Sequence, residues 1–289
     1  MVTQNIEQRT EYNPYELVII SGVSKGIGRA FANHYAAQKN TLIEGISRSC
    51  KPGRVQCNGP RRLSLHNLDL LDKKRANCFP NMLGSDLLSF KLKDLESITC
   101  IHAIGIDKFE PDGKPHIDLN GDGIDDEVYA GNVTAFMNLV QPLIRAVRET
   151  NTPTTIVQIG SLSDIYGVPY WQSFTKSKNI VRQYLKSIAS PTIKGITLSV
   201  GSTLDEEGRK YGRVNADTTY WQTAEELVEK SWRSIGRMRG LDSTYAEFDF
   251  YKHNPNFKQD YFTNLPELFT TWQKDMGLEG KEVPHGIRI

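Results

Sequence analysis

Residues 16–38 read ELVIISGVSKGIGRAFANHYAAQ, and this stretch decides the fold. Its first part, residues 17–20, is a short apolar run rich in β-branched residues, which is typical of a parallel strand covered on both faces. Gly22, Gly26 and Gly28 then predict a sharp turn that brings the backbone close to a phosphate group. The amphipathic helix that follows presents its N-terminal NH groups to the same anion. The stretch therefore predicts a strand, turn and helix that bind a dinucleotide.

The turn reads Ser-Gly-Val-Ser-Lys-Gly-Ile-Gly at residues 21–28. It resembles the TGxxxGIG signature of the short-chain dehydrogenase/reductase family, and its spacing differs from the G-x-G-x-x-G turn of the long-chain dehydrogenases. Glycines at such a position are also compatible with ordinary turn chemistry, so the later motifs must decide. The resemblance implies that six residues of the turn contact the cofactor: Gly22, Ser24, Lys25, Gly26, Ile27 and Gly28.

Further predicted strands alternate with helices along the chain, at residues 41–47, 63–70, 97–103, 154–159 and 195–199. Between them, Pro, Gly and Arg residues predict a loop at residues 50–62, and residues 125–149 are predicted to form a long helix. This alternation predicts an α/β fold, a Rossmann-type doubly wound parallel sheet in a three-layer αβα arrangement that forms a single domain. We expect residues 1–15 to form an N-terminal extension and residues 16–241 to form the domain. Residues 242–289 are then a C-terminal extension packed on the same domain. The resemblance also implies a mobile substrate-binding loop at residues 204–221.

The chain of 289 residues carries 35 Lys and Arg against 34 Asp and Glu. This balance predicts neither a nucleic acid nor a membrane surface as a partner and favours a small-molecule substrate. No stretch reaches the roughly 18 apolar residues of a membrane span, and the four cysteines form no CxxC pair. We therefore expect a cytoplasmic protein, and the family resemblance implies a homodimer or homotetramer.

Arg48 follows the predicted strand 41–47, where the resemblance places the adenosine ribose of the cofactor. A basic residue there can pair with the 2′-phosphate of NADP, whereas an acidic residue binds the 2′-hydroxyl of NAD. Together with Lys25, Arg48 therefore predicts NADPH in preference to NADH; the alternative is that both are solvated surface cations. The resemblance assigns further cofactor contacts to Asp69, Leu70, Ala103, Lys178 and Thr203. For the Asp69-Leu70 pair, a turn aspartate that caps the next helix at Asp72 is the alternative.

In the family, a serine polarises the substrate carbonyl, a tyrosine supplies a proton, and a lysine lowers the pKa of that tyrosine. The matching register in this chain gives Ser161, Phe174 and Lys178, so a phenylalanine stands where the tyrosine is expected. Phe174 and Lys178 are four residues apart and share one face of a predicted helix. Asn132 matches the family's catalytic asparagine, which interrupts a helix; a solvent-facing asparagine is the alternative.

Phe174 cannot donate the proton that reduction of a simple ketone requires, a contribution of roughly 10²- to 10⁴-fold to the rate. Reduction of a C=C bond conjugated to a carbonyl places negative charge on an enolate oxygen, which Ser161 and Lys178 can stabilise without a phenol. The sequence therefore favours an NADPH-dependent reductase of a small conjugated enone or carbonyl compound. Tyr166 and Tyr170 are candidate substitute acids, although aromatic packing is the commoner role.

Two alternatives stay open. The missing tyrosine, together with His-Ala-Ile-Gly at residues 102–105 where relatives have Asn-Asn-Ala-Gly, is consistent with a non-catalytic NADP(H)-binding sensor or scaffold. Such a protein has no chemical need for Lys178 or Asn132, which weighs against it. Phe174 is also consistent with a substitution introduced to trap a complex.

Residues 118–126 read DLNGDGIDD, with oxygen-bearing side chains at loop positions 1, 3, 5 and 9, a glycine at 6 and a carbonyl at 7. This is the spacing of a DxNxDG calcium loop. The candidate ligands of Ca²⁺ are Asp118, Asn120, Asp122, Ile124 and Asp126. Position 12 is Tyr129 instead of a bidentate glutamate, and a polar turn that caps the following helix is the alternative.

Overall fold

The computed structural model describes residues 16–38, 40–56, 62–86, 92, 95–166, 168–204, 210, 212–252 and 265–282, so the predicted N-terminal extension, residues 1–15, lies outside them. The described strands are β1 (Glu16–Ser21), β2 (Thr41–Ser47), β3 (Gly53–Gln56), β4 (Arg62–Asn67), β5 (Ser97–His102), β6 (Thr154–Ser161), β7 (Ile193–Val200), β8 (Thr203–Leu204), β9 (Gln222–Thr223) and β10 (Tyr245–Phe250). The described helices are α1 (Gly26–Ala36), α2 (Lys73–Asp86), α3 (Asp126–Tyr129), α4 (Ala135–Thr150), α5 (Ser163–Tyr166), α6 (Gln172–Ile188), α7 (Ala224–Met238) and α8 (Leu265–Met276).

Eight of these strands form one sheet in the order β10-β7-β6-β5-β1-β2-β4-β3, and β8 pairs separately with β9. Seven strands of the sheet run parallel, and β3 pairs antiparallel with β4 at one edge. The chain runs outward from β1 to β2 and β4, then returns to β5 on the other side of β1. The predicted doubly wound sheet is confirmed, and its order reverses between β1 and β5.

Helices cover both faces of the sheet. Leu17 and Ile19 of β1 pack into a core shared with α2, α4 and α6, whereas Val18 and Ile20 pack into a core shared with α1 and α7. Because successive side chains of a strand point to opposite faces, a strand covered on both sides must be apolar throughout. This arrangement is the predicted three-layer αβα fold. Within the described ranges, no helix is long and apolar enough to cross a membrane.

Two strands of the eight-stranded sheet lie where the sequence predicts none. β3 falls in residues 50–62, for which the composition predicts a loop, and β10 falls in the predicted C-terminal extension. β10 pairs with β7 along its whole length, so residues 242–289 contribute a strand to the sheet and are not only packed against it. The sequence of β10, YAEFDF, alternates apolar and acidic residues because it is an edge strand and only partly buried.

The long helix predicted at residues 125–149 is present, with a local change of pitch. α3 begins after Asp125, whose carboxylate accepts hydrogen bonds from two backbone NH groups of the first turn. A π-helical turn, Ala130–Thr134, then connects α3 to α4. Asn132 lies in this turn, so the structure interrupts the helix where the family resemblance implies it.

Candidate active site

A cavity of about 560 Å³ opens at the carboxyl ends of the parallel strands. Its walls are formed by the segments that follow β1, β2, β5, β6 and β7, on both sides of the reversal point between β1 and β5. Open α/β sheets bind their ligands in this crevice. We call the part beside the glycine turn and Arg48 the cofactor half, and the part beyond Ser161 and Lys178 the substrate half.

Most of the sequence-predicted site residues meet in this cavity. The predicted residues that line it are Gly22, Ser24, Lys25, Gly26, Ile27, Arg48, Asp69, Leu70, Ala103, Ser161, Phe174, Lys178 and Thr203. Gly28 and Asn132 lie behind its wall, where they hold other backbone segments in place. The candidate site is thus assembled from seven separate segments of the chain.

The glycines of the turn after β1 are required for different reasons: Gly22 and Gly26 for their backbone conformation, and Gly28 for close packing. Gly22 and Gly26 adopt φ angles of 82° and 56°, in the left-handed region that favours glycine. A Cβ atom at Gly28 would lie 2.3 Å from the carbonyl oxygen of Gly22, so α1 can pack on the turn only without a side chain there. A Cβ atom at Gly26 would meet nothing within 4 Å, because this residue borders the open cavity. The turn therefore leaves room for a ligand directly above its backbone.

The N-terminus of α1 suits an anion in that space. Lys25 precedes the helix and makes no side-chain capping hydrogen bond, and no acidic residue lies in the first turn. The first NH groups and the helix dipole therefore favour a phosphate group. Arg29 stabilises the turn, since its guanidinium donates to the carbonyl oxygens of Val23 and Ser24 at 2.8 and 2.9 Å. These features fit the pyrophosphate of a dinucleotide.

Charged residues mark the far end of the cofactor half. Arg48 and Lys25 are exposed, and both line the cavity. Asp69 also lines it, and its Oδ1 accepts a hydrogen bond from the NH two residues further on at 3.0 Å. Asp72, not Asp69, accepts from a backbone NH in the first turn of α2. The capping role that the sequence left open therefore belongs to Asp72, and Asp69 shapes the cavity wall.

Ser161 ends β6 and faces the cavity together with Ser163. Its Oγ accepts hydrogen bonds from the Oγ of Ser163 at 2.9 Å and from the NH of Ser163 at 3.2 Å. A hydroxyl has two acceptor sites and one donor, so these contacts leave the O–H of Ser161 as a donor toward a ligand oxygen. Ser163 was not recognised from the sequence, because its role depends on the tight turn after β6.

Lys178 is only 3% exposed, and it is one of the residues that line the cavity. Nζ donates to the carbonyl oxygen of Ile104 at 3.3 Å and lies 5.5 Å from the centroid of the Phe174 ring. Burial lowers the pKa of Lys178 to about 8, while the negative charges of Asp164 and Asp107 act in the opposite direction. The ammonium is therefore held in a site with little water, where it interacts strongly with any charge that develops nearby.

A buried ion pair supports the end of β6. The guanidinium of Arg182, on α6, contacts the carboxylate of Asp164 at 2.6 Å and that of Glu247, on β10, at 2.8 Å. Asp164 in turn accepts from the NH of Ser161 at 3.4 Å. Burial raises the pKa of Asp164 to about 6, although the Arg182 charge opposes this shift. The position of Ser161 thus depends on contacts from the C-terminal strand, which no motif in the sequence indicates.

Phe174 packs in an aromatic cluster and exposes part of its ring to the cavity. Tyr170 belongs to the same cluster, is 1% exposed, and does not line the cavity, so its role is packing. The side chain of Tyr166, the other candidate acid, lies outside the described residues. Among the described side chains that line the cavity, none is a tyrosine.

Asn132 holds the segment after β5 against α6. Its side-chain amide accepts from the NH of Ile106 at 2.8 Å and donates to the carbonyl of Ile106 and to the Oγ of Ser177, each at 2.9 Å. Asn132 is 1% exposed, which excludes the alternative of a solvent-facing helical asparagine. Ser177 precedes Lys178, so this contact connects the π-helical turn to the helix that carries the ammonium.

His102 connects β5 to β1 at the position where relatives have the Asn-Asn-Ala-Gly segment that braces the central sheet. Its Nδ1 lies 2.9 Å from the Oγ of Ser21, its neighbour on β1, and its ring packs edge-on against Phe136. Burial lowers the pKa of His102 to about 3, so the ring is neutral. A different side-chain contact therefore joins β1 and β5 at the reversal point of the sheet.

The substrate half contains residues that the sequence did not indicate. They are Trp171, Lys210, Arg213, Trp221 and Trp272. The predicted substrate-binding loop, residues 204–221, contributes three of them, although residues 205–209 and 211 lie outside the described part. Trp272 comes from α8 in the predicted extension. No fixed spacing relates these residues, because they meet only in the folded chain.

No protein-family model matches this sequence, and a comparison with curated protein sequences gives no match. Solved structures are similar, however. A 4-hydroxyisoleucine dehydrogenase complexed with NADH is 20% identical, with a TM-score of 0.60 over 81% of this chain and 96% of that one. An alcohol dehydrogenase from Thermococcus sibiricus complexed with 5-hydroxy-NADP is 15% identical, with a TM-score of 0.61 over 83% and 99%.

A short-chain dehydrogenase from Burkholderia cenocepacia in complex with NADP is 13% identical, with a TM-score of 0.58 over 82% of this chain and 89% of that one. This chain has the short-chain dehydrogenase fold. Likeness at this level of identity establishes the architecture of the sheet and its helices. The chemistry must be argued from the residues that line the cavity.

On this dehydrogenase fold, the predicted calcium loop at residues 118–126 is held by its own hydrogen bonds. The Asp118 carboxylate accepts from three backbone NH groups at 2.7, 3.1 and 2.8 Å. Asp122 accepts from the NH of Ile124 at 2.9 Å, and Asp126 accepts from the side-chain amide of Asn120 at 3.3 Å. The carboxylates of Asp118 and Asp122 therefore accept hydrogen bonds from backbone NH groups of the loop itself.

This geometry gives the calcium prediction no support. Within the described residues, no three His, Cys, Asp or Glu side chains lie together as a metal site. The ammonium of Lys176 donates to the carbonyl of Gly123 at 2.9 Å, which places a positive charge beside the expected ion. The geometry favours the alternative of a polar turn over a calcium site, and the cap of the next helix comes from Asp125, which was not among the predicted ligands.

We expect calcium to leave the melting temperature unchanged relative to chelator. Asp118→Ala should lower the free energy of unfolding by about 1 kcal/mol in both conditions, because three backbone NH groups lose their acceptor. Asp122→Ala, which removes one acceptor, is the matched control and should cost less. A rise in melting temperature with calcium that Asp118→Ala abolishes contradicts this view.

Proposed function

We propose that this protein is an NADPH-dependent oxidoreductase that reduces a small conjugated enone. The observation that carries the proposal is the buried Lys178 ammonium beside Ser161 at the cavity wall, with Phe174 where the resemblance implies a tyrosine. The solved structures of the same fold are dehydrogenases that bind NADH or NADP derivatives. These points support hydride transfer as the class of reaction.

The described wall supplies positive charge and hydrogen bonds, and it supplies no phenol. Bound NADPH provides a hydride, and addition of hydride to the β-carbon of an enone moves negative charge to the carbonyl oxygen. The O–H of Ser161 and the ammonium of Lys178 can hold this enolate oxygen, since both line the cavity. The α-carbon then takes its proton from water. A simple ketone would instead need an acid during the hydride step.

Residues of the cofactor half support NADPH over NADH. Arg48 and Lys25 are exposed cations on the cavity wall, and Asp69 is the carboxylate on the wall of that half. A charge-assisted hydrogen bond to the 2′-phosphate contributes about 1.5 to 3 kcal/mol when well formed. Thr203 lines the cavity in the loop after β7, for which the resemblance implies contact with the nicotinamide carboxamide, and Ala103 lines it beside Gly22.

The second candidate function is a non-catalytic NADP(H)-binding sensor or scaffold. Phe174 favours it, because the ring is packed into the aromatic cluster as a stable part of the fold. The buried Lys178 weighs against it, since a buried ammonium costs stability and a cavity wall without chemistry has no use for one. The homodimer or homotetramer stays a prediction. Light scattering can measure the oligomeric state.

We expect Arg48→Ala to weaken NADPH binding about tenfold or more while leaving the dissociation constant for NADH nearly unchanged. The reason is the lost charge-assisted contact to the 2′-phosphate, which NADH lacks. Titration of the protein fluorescence with each cofactor measures both constants. Arg75→Ala, on the exposed start of α2, removes the same charge outside the cavity and is the control. Equal affinities of the unmodified protein for the two cofactors contradict the assignment.

A panel of cyclohexenone and benzylideneacetone with their saturated ketone counterparts tests the reaction. With NADPH, we expect the enones to be reduced at least about a hundredfold faster than the saturated ketones, because the ketones lack a proton donor. Phe174→Tyr should raise ketone reduction by supplying that donor. Reduction of ketones alone by the unmodified protein rules out the enone assignment. NADPH binding without turnover of any substrate, unchanged in Lys178→Met, favours the sensor.

The pH dependence should report the ammonium of Lys178. Because burial lowers its pKa to about 8, the charged form prevails below that pH and is lost above it. We expect kcat/KM for an enone to fall about tenfold per pH unit above 8. In Lys178→Arg, whose charge persists, any remaining activity should lack this decline. A flat profile between pH 7 and pH 10 in the unmodified protein contradicts a role for the charge.

A further inference from the structure

The substrate half of the cavity contains a guanidinium between two indole rings. The Cζ atom of Arg213 lies 4.8 Å from the ring centroid of Trp221 and 5.3 Å from that of Trp272. All three residues line the cavity, and Arg213 is 9% exposed. Stacking of this kind fixes the plane of the guanidinium and removes it from bulk water.

Contacts on several sides hold Arg213 in this position. Gly212 has a φ angle of 82°, and a Cβ atom there would lie 2.6 Å from the ring of Phe109, so the chain passes directly against that ring. The Nε side of Arg213 faces the carboxylate of Asp275 on α8 at 3.5 Å. Nη1 donates to the Oγ of Ser202 at 3.3 Å. The guanidinium is therefore placed before any ligand binds.

The location of Ser202 connects Arg213 to the reacting groups. Ser161 pairs with Val200 at the ends of β6 and β7, and Ser202 lies two residues beyond Val200 on the cavity wall. Arg213 consequently stands on the Ser161 side of the cavity and away from the glycine turn. This separates it from Arg48 and Lys25, which mark the cofactor half.

Three cations of the described chain, Lys178, Lys210 and Arg213, line the substrate half, and the carboxylate of Asp275 pairs with the Nε side of Arg213. The described lining residues include two carboxylates, Asp69 in the cofactor half and Asp107 near Lys178. Lys210 joins Arg213 on the same wall, with its Nζ donating to two backbone carbonyls at 2.9 and 3.3 Å. An anionic group of a ligand is therefore favoured here, and the fork of an arginine suits a carboxylate.

We propose that Arg213 binds a carboxylate of the substrate, so that the enone is a planar, apolar compound with one carboxylate remote from its double bond. This inference rests on the proposed reductase function and adds the class of its substrate. The apolar body packs against the rings of Trp171, Phe174, Trp221 and Trp272, which surround this half. The carboxylate takes the Nη edge of Arg213, while Asp275 retains the Nε side.

A matched pair of probes tests this assignment: para-carboxybenzylideneacetone and its methyl ester. Calorimetric titration into the NADP⁺-saturated protein measures binding without requiring turnover. We expect the acid to bind about tenfold to a hundredfold more tightly than the ester, the range expected of a charge-assisted bidentate contact. Arg213→Met should remove this preference, and Arg213→Lys should keep part of it. Arg237→Met, at an exposed position of α7, should change nothing.

Equal binding of acid and ester to the unmodified protein overturns the proposal, and this comparison needs no variant. Loss of NADP⁺ binding in Arg213→Lys, with the acid preference intact, also overturns it and assigns Arg213 to the cofactor. Binding of the acid through Arg213 without reduction leaves the carboxylate site standing and refutes the reductase. Reduction of the acid and the ester at equal kcat/KM supports the reductase and refutes the carboxylate site. The two proposals therefore fail by different observations.

Discussion

The rest of the site depends on the contact between the glycine turn and the start of α1. A Cβ atom at Gly28 would lie 2.3 Å from the carbonyl oxygen of Gly22, and one at Gly22 would lie 3.1 Å from the backbone of Ala103 after β5. These approaches bring β1, α1 and β5 together at the point where the order of the strands reverses. The cavity exists because the segments on the two sides of that point diverge from this contact.

The replacement of a tyrosine by Phe174 changes what the site can do. Phe174 lies between the aromatic cluster and the Lys178 ammonium, so the ring adds packing and a cation–π contact where a phenol would add a proton donor. The ammonium is kept in a nearly dry position by this apolar neighbour. Its lowered pKa and its strong electrostatic effect have the same cause, the exclusion of water. A site of this kind stabilises developing negative charge better than it transfers protons.

The C-terminal part of the chain contributes more than a cover. Glu247 of β10 completes the ion network through Arg182 and Asp164 that positions Ser161. Trp272 and Asp275 of α8 contact Arg213 in the substrate half. The same segment therefore supports the reacting end of the cavity and shapes the space for a substrate. The cofactor half, by contrast, is built from the first 70 residues and the segment after β5.

Local patterns in the sequence determined the fold and most of the cofactor half. The apolar run of β1, the glycine spacing and the alternation of strands and helices depend on neighbouring residues, so their physics can be read along the chain. Ser161, Phe174 and Lys178 were predicted from the register of the family resemblance, and the four-residue spacing of Phe174 and Lys178 places them on one helix face. The sequence also indicated an interrupted helix at Asn132, which the π-helical turn confirms.

The edge strand β10, the hydrogen bonds of the loop carboxylates and the contacts of Arg213 could be learned only from the tertiary structure. β10 was missed because an edge strand with acidic residues lacks the apolar run of a central strand, and its Glu247 is explained only by Arg182 on a distant helix. The calcium loop matched a spacing, but its carboxylates are used by backbone NH groups and a lysine from α6 lies beside it. Arg213 meets Trp272 across 59 residues of the chain. Such contacts depend on how separate elements pack, and no local pattern encodes them.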